Sequence, residues 1–153
     1  MLRVPKAVHE EVIAHCQSRY PKEACGLLAG AASRIVPDVP ARLVLQVYPM
    51  TNIEDSPIGY SMDPKEQLQV EKQMRQRGQR LMGIYHSHTA TDAYPSPVDV
   101  NLSISQDLSY VLVSLKDRQH PVMKSYRIDG SIVTPEELLM ESAPSGMRRV
   151  GGP

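Results

Sequence analysis

Residues 6–20, KAVHEEVIAHCQSRY, place Val8, Val12, Ile13, Cys16 and Tyr20 at the i, i+4, i+5, i+8, i+12 spacing of one helical stripe, with charged residues between them. Pro5 suits the first turn of that helix and Pro21 ends it. The pattern then changes. EACGLLAG (23–30) is a short apolar run closed by a glycine and predicts a buried strand. ARLVLQVYPM (41–50) alternates Leu43, Leu45 and Val47 against Val44, Gln46 and Tyr48, a second strand. TNIEDSP (51–57) is turn chemistry, and IGYSMD (58–63) predicts a short third strand. A helix over 64–77 opens with Asp63 as N-cap and Pro64 at its first position, and Gly78 closes it. RLMGIYHSH (80–88) reads as a strand, and SPVDVNLSIS (96–105) as a helix opened by Ser96 and Pro97. LSYVLVSL (108–115) is β-branched and almost wholly apolar. VMKSYRID (122–129) alternates, and Asp129-Gly130 turns it into SIVTP as a hairpin. From Pro135, PEELLMES predicts a short helix, and a flexible tail runs to Pro153. No repeat or linker interrupts the order. The expectation is one α/β (α+β) domain over residues 1–134, a mixed central β-sheet flanked by helices, followed by the short helix and tail over 135–153.

Composition narrows the partners. The 153 residues suffice for one core, which must be built from Leu, Val, Ile, Met and seven Tyr because Phe and Trp are absent. Lys plus Arg and Asp plus Glu stand at 17 each, a formal net charge of zero, which argues against a nucleic-acid partner. No apolar run approaches the roughly 18 residues of a membrane span, and the N-terminus lacks the apolar centre of a signal peptide. A cytoplasmic protein with no membrane association is expected. Cys16 and Cys25 form neither a disulfide framework nor a C-x-x-C pair, so reduced thiols are expected.

Candidate chemistry concentrates in GIYHSHTATDAYPSPVDV (83–100). In an extended strand His86 and His88 face the same way, with Cα atoms roughly 6.5–7 Å apart, close enough for both imidazoles to reach one ion. Asp99, after a loop that can fold back, could supply a third ligand. Two neutral imidazoles and a carboxylate leave the fourth position of a tetrahedral zinc open to water, as in catalytic sites. A plainer account stands beside this one: Ser96-Pro97-Val98-Asp99 has the S-x-x-D form of a helix capping box and needs no metal. The two are compatible, since a helix N-terminus holds an aspartate rigidly.

The pattern His86-x-His88-x7-Ser96-x2-Asp99 resembles the signature of the JAMM (MPN+) metalloproteases, and Glu23-Ala24-Cys25-Gly26-Leu27-Leu28-Ala29-Gly30 resembles that family's upstream E-x-x-G-x-L-x-G segment. The similarity runs from about residue 3 to residue 134. YPKEACGLLAG, PMTNIEDSP, IYHSHTATDAYPS and YVLVS further resemble its compact bacterial branch, of the CysO-cysteine peptidase type. The resemblance implies an MPN/JAB1 (cytidine-deaminase-like) fold and one Zn2+ per chain on His86, His88 and Asp99. It implies a metallopeptidase that exposes the Gly-Gly end of a small ubiquitin-like sulfur-carrier protein, with Glu23 as general base and then acid and Ser96 as oxyanion donor. Asn52 and Tyr94, in segments flanking the site, are the expected substrate contacts.

Each role has a structural alternative: an exposed helix-end carboxylate for Glu23, a cap alone for Ser96, turn formation for Asn52, surface packing for Tyr94. Cys25 reads as buried packing rather than a nucleophile, and His9, His15 and His120 are assigned no metal. An isopeptidase that releases a modifier from lysine, or a non-catalytic MPN scaffold, remains open beside the peptidase. A zinc nucleoside deaminase would need H-x-E and P-C-x-x-C, which do not occur. The sequence leaves the oligomeric state unknown.

Overall fold

A computed structural model describes residues 1–33 and 37–142. The tail expected to be flexible, residues 143–153, lies outside the described residues. The first strand, β1 (Leu2–Pro5), leads into α1 (Lys6–Arg19), whose Val8, Val12 and Cys16 are buried as the stripe requires. There follow β2 (Cys25–Ala31), β3 (Gln46–Met50), α2 (Pro64–Gln76), β4 (Gln79–His88), α3 (Pro97–Asn101), β5 (Ser109–Ser114), β6 (Val122–Asp129), β7 (Ile132–Glu136) and β8 (Leu138–Glu141). Six strands form one sheet in the order β3-β2-β4-β5-β6-β7, antiparallel except for the parallel pair β4–β5, and β1 pairs with β8 in a separate parallel ribbon.

The sheet is covered on both faces. On one, Val8, Val12 and Cys16 of α1 pack with Leu2, Leu28, Met82, Tyr85, Val111 and Val113. On the other, Met74 of α2 packs with Cys25, Leu27, Ala29, Tyr48 and Met50. The register of β2 against β4 shifts between Leu28, opposite Gly83, and Ala29, opposite Leu81, which leaves Met82 as the extra residue of a bulge. Leu81 and Ile84 therefore reach the α2 face while Met82 and Tyr85 reach the α1 face. His86 and His88 keep the period of Ile84.

Local signals hold where they are strong. Asp63 accepts from Lys65 N at 3.0 Å to cap α2, and Gly78 (φ +67) and Gly130 (φ +60) take the positive φ values their turns need. Four expectations change. The strand expected over 41–50 begins only at Gln46: Val44 is buried, Leu45 is exposed, and Leu43 makes one isolated bridge to Arg3. IGYSMD makes no strand, only the bridge Asn52↔Met62, with Tyr60 and Met62 packed against the α2-side core. The helix over 96–105 stops at Asn101.

The fourth change replaces the expected short helix after Pro135 with strand. PEELLMES is not helical; it spans the end of β7 and β8, because Leu138 docks beside Leu2 at the α1-side core. Glu136 of β7 buries its carboxylate to 3% side-chain exposure, accepting from Ser109 Oγ (2.6 Å), Ser125 Oγ (2.8 Å) and Arg127 Nη1 (3.1 Å). Tertiary pairing overrides helix propensity here. A chain ended at Thr134 loses this buried pairing, a defect of about 3–5 kcal/mol. Its thermal melt is expected roughly 10 °C or more below that of a chain ended at Ser142.

Candidate metal centre

The pairing of β2 with β4 sets Cys25 opposite His86 and so brings the glutamate segment beside the two histidines. Ser87, between them, turns to the other face and fastens that segment: Ala24 N donates to Ser87 Oγ at 2.8 Å, and Ser87 N donates to Ala24 O at 3.0 Å. Glu23 is held by its backbone, its N–H donating to Ser56 O at 2.9 Å and its carbonyl accepting from Asn52 Nδ2 at 3.0 Å.

His86 Nε2, His88 Nε2 and Asp99 Oδ2 converge. The separations are 3.2 Å between the imidazole nitrogens, 3.2 Å from His86 to Asp99 and 3.1 Å from His88 to Asp99. Donors around a tetrahedral zinc with bonds of 2.0–2.2 Å lie about 3.3–3.6 Å apart, so the triangle has nearly the right edges. The ring orientation fits as well. His88 Nδ1 donates to the Asp92 carbonyl at 2.9 Å, since a carbonyl only accepts, and that bond turns Nε2 toward the other two donors. Burial pushes Asp99 up, but hydrogen bonds from His86, His88 and the Ser96 amide outweigh it and hold the carboxyl well below the usual range. Burial lowers His86. These three residues could hold a metal ion, and they are the one such group among the described residues.

The capping box and the ligand set coexist. Ser96 N donates to Asp99 Oδ2 at 2.8 Å and Asp99 N donates to Ser96 Oγ at 3.1 Å, so the cap fixes the carboxylate in place. Glu23 is buried at 6% exposure, and burial pushes its carboxyl up to about 7, with the Asp99 and Glu54 charges adding and His88 opposing. Glu23, His88, Ser96 and Asp99 line one cleft of about 450 Å3 together with Gly59, Thr89 and Ala90. Thr89 Oγ1 donates to Pro57 O at 2.9 Å and ties the two flanking segments together.

Two expected contacts sit elsewhere. Asn52 is buried and spends its amide within the chain, donating to Glu23 O and Gly59 O and accepting from Glu54 N and Ser61 N. It holds the backbone of Glu23. Tyr94 lies at the rim of the neighbouring groove beside Lys124 and packs edge-on against Tyr126 at 5.4 Å, outside the cleft. Burial pushes the Cys25 thiol up to about 12, which leaves it no nucleophilic role. Sequence reasoning missed Tyr60, whose ring lies 4.6 Å from that of His86, and Asp92, whose carbonyl meets His88 Nδ1. Neither carries a local signal. Ser87 did: strand alternation turns it to the face opposite both histidines.

Three donors that could hold a cation beside a buried carboxyl are the makings of a metal-dependent hydrolase. A family model described as prokaryotic homologs of the JAB domain matches residues 5–129, and the chain belongs to that family. A CysO-cysteine peptidase from Mycobacterium tuberculosis is 45% identical over 125 residues, spanning 82% of this chain and 81% of its own. A probable TtuB-protein conjugate cleaving protease from Thermus thermophilus is 38% identical over 101 residues, spanning 65% of this chain and 62% of its own. Among solved structures, protein DSY2949 from Desulfitobacterium hafniense has 42% identity and a TM-score of 0.81 over 94% of both chains. No helix among the described residues is long and apolar enough to cross a membrane.

Proposed function

We propose that the protein hydrolyses the peptide bond after the Gly-Gly end of a small ubiquitin-like sulfur-carrier protein, using one zinc ion held by His86, His88 and Asp99. The observation that carries this reading is the convergence of three donor atoms, 3.1–3.2 Å from one another, in a cleft that also holds a buried Glu23. A divalent cation at that seat supplies polarisation of the scissile carbonyl and acidification of water. Glu23, raised by burial to about 7, takes a proton from the attacking water and returns it to the leaving amine. Ser96 Oγ spends a lone pair on the Asp99 amide, which leaves its O–H to donate to the oxyanion. Gly59, Thr89 and Ala90 line the cleft with small side chains, which suits a tail that brings none of its own.

Ser96→Ala separates capping from catalysis. A cap alone is worth about 1 kcal/mol, roughly 2–4 °C of melting temperature. An oxyanion donor is worth about 10²–10³-fold in kcat. We expect the small thermal loss together with the large kinetic one. A kcat loss below about threefold would leave Ser96 a cap only.

The name of the Thermus relative favours a second reading, cleavage of a carrier from a protein conjugate. Both are tested by incubating zinc-loaded protein with carriers extended past Gly-Gly by a peptide bond or by an isopeptide-linked lysine, and weighing the products by mass spectrometry. A product ending in Gly-Gly supports the reading, and the more efficiently cut substrate names the activity. Both substrates intact after treatment with folded, zinc-loaded protein would overturn it.

A further inference from the structure

The loop from Thr89 to Pro95 leaves the end of β4 and folds back over the sheet. Three successive carbonyls of this loop accept side-chain hydrogen bonds from three successive strands. Ser114 Oγ of β5 donates to Thr91 O at 2.6 Å, His88 Nδ1 of β4 to Asp92 O at 2.9 Å, and Tyr126 OH of β6 to Ala93 O at 2.5 Å. The strand register makes this possible. Ser114 stands directly beside His88 in the parallel β4–β5 pair, and the next residue, Leu115, donates its N–H to His88 O at 2.9 Å. Tyr126 is buried at 4% exposure in a small cluster with Ala93 and Leu112, and Ser114 is equally buried. Two buried hydroxyls therefore grip the carbonyls on either side of the one that holds His88.

A carbonyl that drifts away from His88 Nδ1 frees the imidazole to turn about its side-chain bonds. Nε2 then no longer points steadily at His86 and Asp99. We propose that Ser114 and Tyr126 are positioning residues of the metal centre: by fastening the carbonyls of Thr91 and Ala93 they keep the Asp92 carbonyl on His88 Nδ1, and so keep the His88 ring turned with Nε2 into the site. The consequence for metal affinity rests on the reading of the site given above, whereas the Nδ1 hydrogen bond is a property of the metal-free protein.

The test compares Ser114→Ala, Tyr126→Phe and the wild type, with Tyr110→Phe as control. Tyr110 is a similarly buried tyrosine whose hydroxyl bonds Ile104 N and Ser105 N instead of the loop. 1H–15N spectra of the metal-free proteins read whether His88 Nδ1 keeps its hydrogen bond to the Asp92 carbonyl, and chelator competition reads zinc affinity. In the wild type that bond is expected intact. Each loop variant is expected to weaken it and to bind zinc about 10- to 100-fold more weakly, with Tyr110→Phe unchanged. A fall in melting temperature with the His88 spectrum and zinc affinity of both variants unchanged is the mark of a merely structural role and overturns the proposal. If Tyr126→Phe fails to fold, Ser114→Ala decides. A wild type that binds no zinc would instead sink the metal-site reading, and the His88 Nδ1 hydrogen bond in the metal-free spectra would then decide this proposal by itself.

Discussion

Glu23→Gln is expected to keep bound zinc, lose about 10²–10⁴-fold in kcat, and yet make the metal-free protein more stable at alkaline pH. The amide retains the shape of the side chain but cannot accept a proton. The stability effect follows from burial, which pushes the Glu23 carboxyl from its ordinary 4.5 up to about 7. A carboxyl raised in the folded state favours folding by its neutral form. Its cost is absent below the unfolded value, grows as pH rises between the two values, and is complete above about 7. The interval of roughly 2.5 units corresponds to a cost of about 3 kcal/mol. Melting curves of metal-free wild type and Glu23→Gln should coincide near pH 4 and separate by roughly 6–12 °C near pH 8, the variant higher. Retained turnover in the variant would remove Glu23 from the reaction. Coincident melts at both pH values would show that burial does not raise its carboxyl.

Removal of the ion, or of any ligand to it, is the second large effect. Chelated wild type should lose all measurable cleavage and recover it on zinc addition. His88→Ala should lose both cleavage and zinc binding, since the three donors lie 3.1–3.2 Å from one another and two of them do not define a closed seat. Linkage gives a readout independent of turnover. An ion at a hundredfold excess over its dissociation constant stabilises the folded chain by about 2.7 kcal/mol, roughly 5–11 °C for a domain of this size. The wild type should show that rise in melting temperature with zinc, and His88→Ala should not. Zinc that raises the two melts equally would place the ion elsewhere on the chain.

The site was legible wherever its geometry is local. A period of two put His86 and His88 on one face, and the S-x-x-D spacing set Asp99 in a capping box, which the structure shows with both reciprocal bonds. The stripe of α1, the Asp63-Pro64 start of α2 and the Asp129-Gly130 turn are local in the same sense. The hold of Asn52 on Glu23 was not legible, because its turn chemistry is visible in the sequence while its four partners, spread from Glu23 to Ser61, are not. PEELLMES was misread because its residues favour a helix in isolation, whereas the unpaired edge of β1 takes them as a strand.

The sequence by itself therefore determined the local geometry of the cation seat and the ends of its principal helices, since caps, turns and strand alternation are set by residues a few positions apart. Only the tertiary structure decided that Glu23 stands beside the histidines. That depends on β2 lying against β4, on the extra residue at Met82 that sets which face the strand offers, and on Asn52 and Ser87 holding the backbone at Glu23 and Ala24. Contacts between residues far apart in the chain leave no period and no local motif. They form because burying both faces of one sheet, with its hydrogen bonds satisfied, leaves a single register in which the glutamate reaches the cleft.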